Sequence, residues 1–162
     1  MASDMFLKLD GIKGESTDDK HKDEIEIINF SWGAHSSSSI GSASTGGGVG
    51  KATFSDFSFN KKVDIASPKL ALISARGEHI ATATLSIRKS GGAAGQVDYQ
   101  VYTLDTIYVT GIQITGDSSG EFYESLTLAP TKFKWEYKQQ NAAGGLTGNV
   151  AVTVDRAKNT AV

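Results

Sequence analysis

Several groups of residues have the types and spacing that chemistry requires. Gly46-Gly47-Gly48-Val49-Gly50-Lys51 approximates a phosphate-binding loop, in which backbone amides cradle phosphate and the lysine neutralises it. That pattern needs Gly, four residues, Gly-Lys, then Ser or Thr. Here Thr45 stands first, Ala52 follows Lys51, and the next stretch reads as a strand. No helix N-terminus is on hand to hold phosphate. Gly116-Asp117-Ser118-Ser119-Gly120 is similar to the nucleophile segment of trypsin-like proteases, a chemistry that needs a His base and a buried Asp within reach. The available histidines are His21, His35 and His79, the first two in loop-like sequence. A polar turn between strands accounts for the same five residues. The histidines lie 14 and 44 residues apart, not at helical or finger spacing for a metal. Asp18/Asp19 and Glu24/Glu26 read as a solvated loop and a wet strand face. Asn29-Phe30-Ser31 is a formal glycosylation sequon inside an expected strand. Lys61-Lys62 and Arg88-Lys89 are isolated pairs, not a nucleic-acid stripe. The expectation is a non-enzyme with no cofactor and no metal.

The elements that would position these residues follow from length and pattern. At 162 residues the chain is one domain's worth, large enough to bury its own core without disulfides. There is no cysteine, so thiol chemistry is excluded. With 16 basic and 18 acidic residues and a net charge of −2, nothing favours a nucleic-acid backbone. No run of about 18 apolar residues suits a membrane span. The start, Met1 to Asp10, lacks a basic then apolar leader, so the expectation is synthesis in the cytoplasm and export, if any, by a route without a signal peptide.

The dominant period is two. Strands are expected at Met5–Leu9, Glu24–Trp32, Thr53–Phe59, His79–Lys89, Val97–Ile114 with a break near Gly111, Phe122–Leu128, Lys132–Tyr137 and Asn149–Asp155. Ile27-Ile28 implies burial on both faces or a bulge. One helix is expected over residues 67–76, with Ser67 as cap, Pro68 in the first turn and Gly77 just past the end. Residues 34–50 form a long Gly/Ser loop between strong strands, which points to function. About eight strands and one helix predict a mainly β single domain, a closed barrel or two-sheet sandwich.

An ordered set of short motifs then carries a resemblance. Met5-Phe6-Leu7-Lys8, Gly14-Glu15-Ser16, His21 before Glu24-Ile25, and Ser31-Trp32-Gly33 lead it. Phe57-Ser58-Phe59, Asp64, Ser67-Pro68-Lys69-Leu70, Leu85 to Gly92, Leu126-Thr127-Leu128 and Phe133–Tyr137 continue it. In this order they resemble the haemolysin-coregulated protein (Hcp) family over nearly the whole chain, least after Tyr137. The resemblance implies one Hcp-like β-barrel domain over 1–162. It implies hexameric rings stacked into the inner tube of a type VI secretion system, with a spike trimer, a contractile sheath and small effectors in the lumen as partners. It implies secretion into the medium or a target cell, with neither nucleic acid nor membrane insertion. A phage tail-tube subunit and a monomeric ligand- or carbohydrate-binding sandwich are the other readings.

Site residues are expected on two surfaces. Along the second strand Asn29 and Ser31 share one face, and Ile28, Phe30 and Trp32 share the other. Asn29 and Ser31 are therefore the lumen candidates. Residues 34–50 hold the ring-stacking candidates His35, Ser38, Ile40, Ser44, Val49 and, just beyond, Lys51. That loop is expected to have no intrachain contacts of its own.

Overall fold

The computed structural model describes residues 3–38 and 48–162. Ile40, Ser44 and the Gly46-Gly47 start of the phosphate-loop lookalike lie outside the described residues. The strands are β1 (Asp4–Leu9), β2 (Ile25–Glu26), β3 (Asn29–Ser31), β4 (Ala34–His35), β5 (Thr53–Phe54) and β6 (Phe57–Lys62). After the helix α1 (Ser67–Arg76) come β7 (His79–Ser90), β8 (Gln96–Gly116), β9 (Phe122–Gln140), β10 (Leu146–Asp155) and β11 (Thr160–Ala161). The protein is mainly β with one short helix, as the pattern predicts, but its strands are more numerous and less equal than expected.

All ladders are antiparallel, in the order β11-β10-β9-β8-β7-β1-β2, with β6 paired to both β9 and β3. The sheet wraps around its core but is not closed into a barrel, which corrects the closed-barrel expectation. The seam lies in residues 25–31. Ile27 N–H donates to Met5 C=O at 2.9 Å, while Ile28 N–H donates to Asn60 C=O at 2.8 Å. Neighbouring residues thus serve opposite sides of the wrap, joined by the chain and not by a ladder. Side-chain alternation slips there as well: Ile28 and Asn29 both face out. Ile28 is 48% exposed, so it does not share the inner face with Phe30 and Trp32 as expected.

The expected break at Gly111 is a bulge inside β8: Val109 pairs with Leu128 and Gly111 with Thr127, leaving Thr110 extra. The two expected strands 122–128 and 132–137 are one strand, β9, running through Pro130. A proline is tolerated there because β9 changes its outer partner at that point, from β6, which pairs as far as Leu128, to β10, which pairs from Lys132. Ile107 lies opposite Pro130, and Thr106 beside it on β8 sits at φ 45°, a costly backbone for a β-branched residue. Up to Tyr108 β8 pairs with β7; beyond it β8 pairs with β9 alone.

Leu7, Leu9, Ile25, Phe57, Phe59, Leu85, Leu104, Ile107, Leu126, Leu128 and Phe133 fill the interior, each contributing roughly 1.5–3 kcal/mol by burial. Helix α1 packs on it through Leu70 and Ile73. Gly77, at φ 64°, ends the helix and its N–H meets the last turn, as expected. The start differs. Ser67 is the first residue of the helix and Ala66 holds the cap position without a side-chain cap; the Asp64 carboxylate closes the turn just before it, accepting from Ala66 N–H at 3.0 Å. Ser67 Oγ instead accepts from Asp64 N–H and Lys61 Nζ.

Candidate functional site

Strands β3, β6, the first half of β9 and the last third of β8 make a four-stranded sheet. Its inner side carries Phe59 and Leu126 into the core. Its outer side follows from register. Asn29 lies opposite Asn60, Asn60 opposite Ser125, and Ser125 opposite Gln113. Ser31 lies opposite Ser58, Ser58 opposite Thr127, and Thr127 opposite Gly111. The two lumen candidates are therefore brought into a wider polar surface, and Asn60 Nδ2 donates to Asn29 Oδ1 at 2.6 Å. Sequence reading found Asn29 and Ser31 because they share one strand. The remaining members become visible only through pairing between strands dozens of residues apart.

This sheet has an unpaired edge on each side. β3 pairs with β6 and, among the described residues, with nothing on its other side. At the far side, among the described residues, the β8 segment 109–116 pairs with β9 alone. That segment reads Val-Thr-Gly-Ile-Gln-Ile-Thr-Gly, without the charges or prolines that blunt a lone edge.

The second surface is the hairpin. Ala34 pairs with Phe54 and His35 with Thr53, and a bridge joins Ser38 to Val49. Gly50 N–H donates to Ser37 C=O at 2.6 Å. The arms therefore do have intrachain partners, contrary to expectation: their main chains satisfy each other and their side chains do not pack. Two aromatics hold the base, because Trp32 and Phe54 meet Phe133 at ring distances of 5.2 and 5.8 Å. His35, Ser38, Val49 and Lys51 are all exposed.

Two ion clusters remain; from the sequence, Asp18 and Glu24 read as solvated and Lys61 and Arg88 as members of isolated basic pairs. Lys61 is fully buried and contacts Asp64, Ser67 and Glu124. Arg88 Nη1 grips both oxygens of Asp18 at 2.9 and 3.0 Å. Its Nε lies 3.1 Å from Asp98 Oδ1 but is not aligned for a hydrogen bond. His21 stacks on Phe6 and holds Glu24 at 2.8 Å and Asp98 at 3.3 Å. Together these side chains pin residues 18–24 to β7 and β8. Gly14 closes the same loop, since any side chain there would strike the Glu24 main chain.

Burial pushes the Asp18 carboxyl up, but the Lys20 and His21 amides and the charges of Arg88 and His21 outweigh it, so it is held below its ordinary value. A carboxyl lowered on folding stabilises fully above its unfolded value, near 4, and that contribution is lost as pH falls through the folded value. Asp18→Asn is therefore expected to flatten the fall in melting temperature between about pH 5 and 3. Equal acid sensitivity in both proteins, read by circular dichroism, would count against this pin.

The catalytic lookalikes are not assembled. Ser118 sits in the β8–β9 turn, where Asp117 accepts from Ser119, not Ser118. His79 stands beside Tyr108 and His35 lies on the hairpin. Lys51 leads directly into the strand β5, where a phosphate loop would need a helix. Among the described residues no three His, Asp or Glu side chains gather as metal ligands, and no helix is long and apolar enough to cross a membrane.

Comparison with known proteins agrees with this geometry. Residues 6–137 match the family described as Type VI secretion system effector, Hcp. Protein hcp1 of Pseudomonas aeruginosa is 39% identical over 150 residues, covering 91% of each chain. A solved type six secretion system protein superposes with a TM-score of 0.91 at 32% identity, over 99% of this chain and 100% of that one. Hcp1 from Salmonella typhimurium gives 0.78 at 33%, over all of both chains. Fold and sequence together define a β-rich structural protein of type VI secretion. The chain belongs to the Hcp family, the secreted tube proteins of that system.

Proposed function

We propose that this protein is the ring subunit of a type VI inner tube. Six copies close a ring, and rings stack through the 34–50 hairpin. The polar sheet face, with Asn29 and Ser31, looks into the lumen. The observation that carries this reading is the pair of unpaired edges on opposite sides of one sheet, the β8 edge long and uncharged. Joining the β8 edge of one copy to the β3 edge of the next continues the sheet, and a head-to-tail contact of this kind makes a ring when its rotation closes. The subunit works by shape, without catalysis of its own. On this reading it is secreted behind a spike trimer and inside a contractile sheath, with small effectors in its lumen. Family membership favours the secretion tube over a phage tail tube or a monomeric sugar-binding sandwich.

The test is mass in solution. Light scattering is expected to report about six times the 17.1 kDa chain. A strict monomer at tens of micromolar would defeat the reading.

A further inference from the structure

The outer face of the four-stranded sheet is distinguished by what its two central rows lack. Asn29, Asn60, Ser125 and Gln113 form one row; Ser31, Ser58 and Thr127 lie in the next. Neither row holds a charge or a large apolar side chain, in a chain that is 21% charged. Charges enter only at the two flanks and are paired there: Lys62 lies 3.5 Å from Glu121 on one side, and Asp56 lies 3.2 Å from Arg156 on the other. Elsewhere charge is dense: residues 18–24 alone carry Asp18, Asp19, Lys20, Lys22, Asp23 and Glu24.

In a sixfold ring every side chain on the inner wall recurs six times at one height. A single aspartate there would become six like charges facing one lumen, a field of one sign that a charged guest would meet on entry. An uncharged lattice creates no such field. It offers hydroxyl and amide groups, which match the main-chain and polar groups of a polypeptide surface. It offers no cation to a phosphate backbone and no apolar patch to hold a partner fast.

Resting on the ring reading above, we infer that this face is a charge-blind wall. It takes folded polypeptide of either net charge, holds it through many weak hydrogen bonds repeated around the ring, and does not select by electrostatics.

Hen lysozyme, strongly basic, and α-lactalbumin, acidic and of similar size, are suitable probes. Their co-sedimentation with assembled protein is compared at 25 and 300 mM NaCl. Wild-type assemblies are expected to retain the two within twofold of each other at both salt concentrations. Ser125→Asp is expected to shift the ratio at least fivefold toward lysozyme, and Ser125→Lys at least fivefold toward α-lactalbumin. Both shifts should vanish at 300 mM salt. A wild-type ratio above twofold overturns the inference. So do intact Ser125→Asp and Ser125→Lys rings without opposite shifts, because the face would then not line the channel. Light scattering on the same wild-type sample reads the ring separately: a monomer there defeats the ring reading and this inference with it.

Discussion

Lys61→Met is expected to lower the unfolding free energy by about 3–5 kcal/mol, the range for removing one partner of a buried ion pair. The Lys61 ammonium has three protons and three acceptors in place: Asp64 Oδ1 at 2.7 Å, Ser67 Oγ at 3.0 Å and the Lys62 carbonyl at 3.0 Å. Glu124 is left with charge attraction alone, its Oε2 lying 3.7 Å away. Neither of its oxygens accepts a hydrogen bond from the described residues, and its side chain is wholly buried. Without the cation, Glu124 becomes a carboxylate out of water with nothing to offset it, and Asp64 keeps only its hydrogen bonds from Ala66 and Ser67.

The double variant Lys61→Met with Glu124→Leu separates charge from packing. Removing both members of a buried pair is often close to neutral, so most of the loss should return. About 1 kcal/mol would remain missing for the hydrogen bonds by which Lys61 holds Asp64 and Ser67 in the turn leading into α1. Urea unfolding of the wild type and both variants measures this, with an unchanged m-value showing that the denatured state is the same. A double variant no more stable than Lys61→Met alone would show that Glu124 does not depend on the lysine.

The same cluster shows how far the sequence could be read. β1, β7 and the helix limits 67–76 follow from local pattern, since period two and the Pro68 and Gly77 signals are written in neighbouring residues. The seam at Ile27-Ile28 was visible as an anomaly, but its outcome depended on which strands lay on either side. Charge was misread for the same reason. Asp18 and Arg88 are 70 residues apart, and His21 and Asp98 are 77 apart; no local spacing announces such a partner. Lys61-Lys62 looks like a solvated pair because alternation alone does not say which of two lysines points inward. The polar sheet face sits between these cases. Two of its members share a strand and were found, whereas Asn60, Ser125 and Gln113 needed the register.

Replacing residues 36–52 with Asn-Gly is expected to abolish tubes while leaving rings. The change is designed around the base of the hairpin. Ala34 still pairs with Phe54 and His35 with Thr53, the pair that a two-residue Asn-Gly turn can close. Trp32 and Phe54 keep their contacts with Phe133, so the core loses nothing. Shortening a loop relieves closure entropy and does not add to it, and stability should stay within about 1 kcal/mol of wild type. What disappears is the outer part of the arms, including Ser38, Val49 and Lys51. Val49, 67% exposed, gains only when something covers it. One such contact is weak, but on the proposed stacking six would act together between two rings, so losing all six is expected to remove the interface instead of loosening it. Val49→Asp keeps the arms and should weaken stacking by a smaller amount, which places the effect in the side chain and not in hairpin length. Negative-stain imaging beside light scattering reads both levels at once. Tubes built from the shortened protein would move the stacking contacts to another surface, and loss of the rings would mean that the hairpin also joins neighbours within one ring.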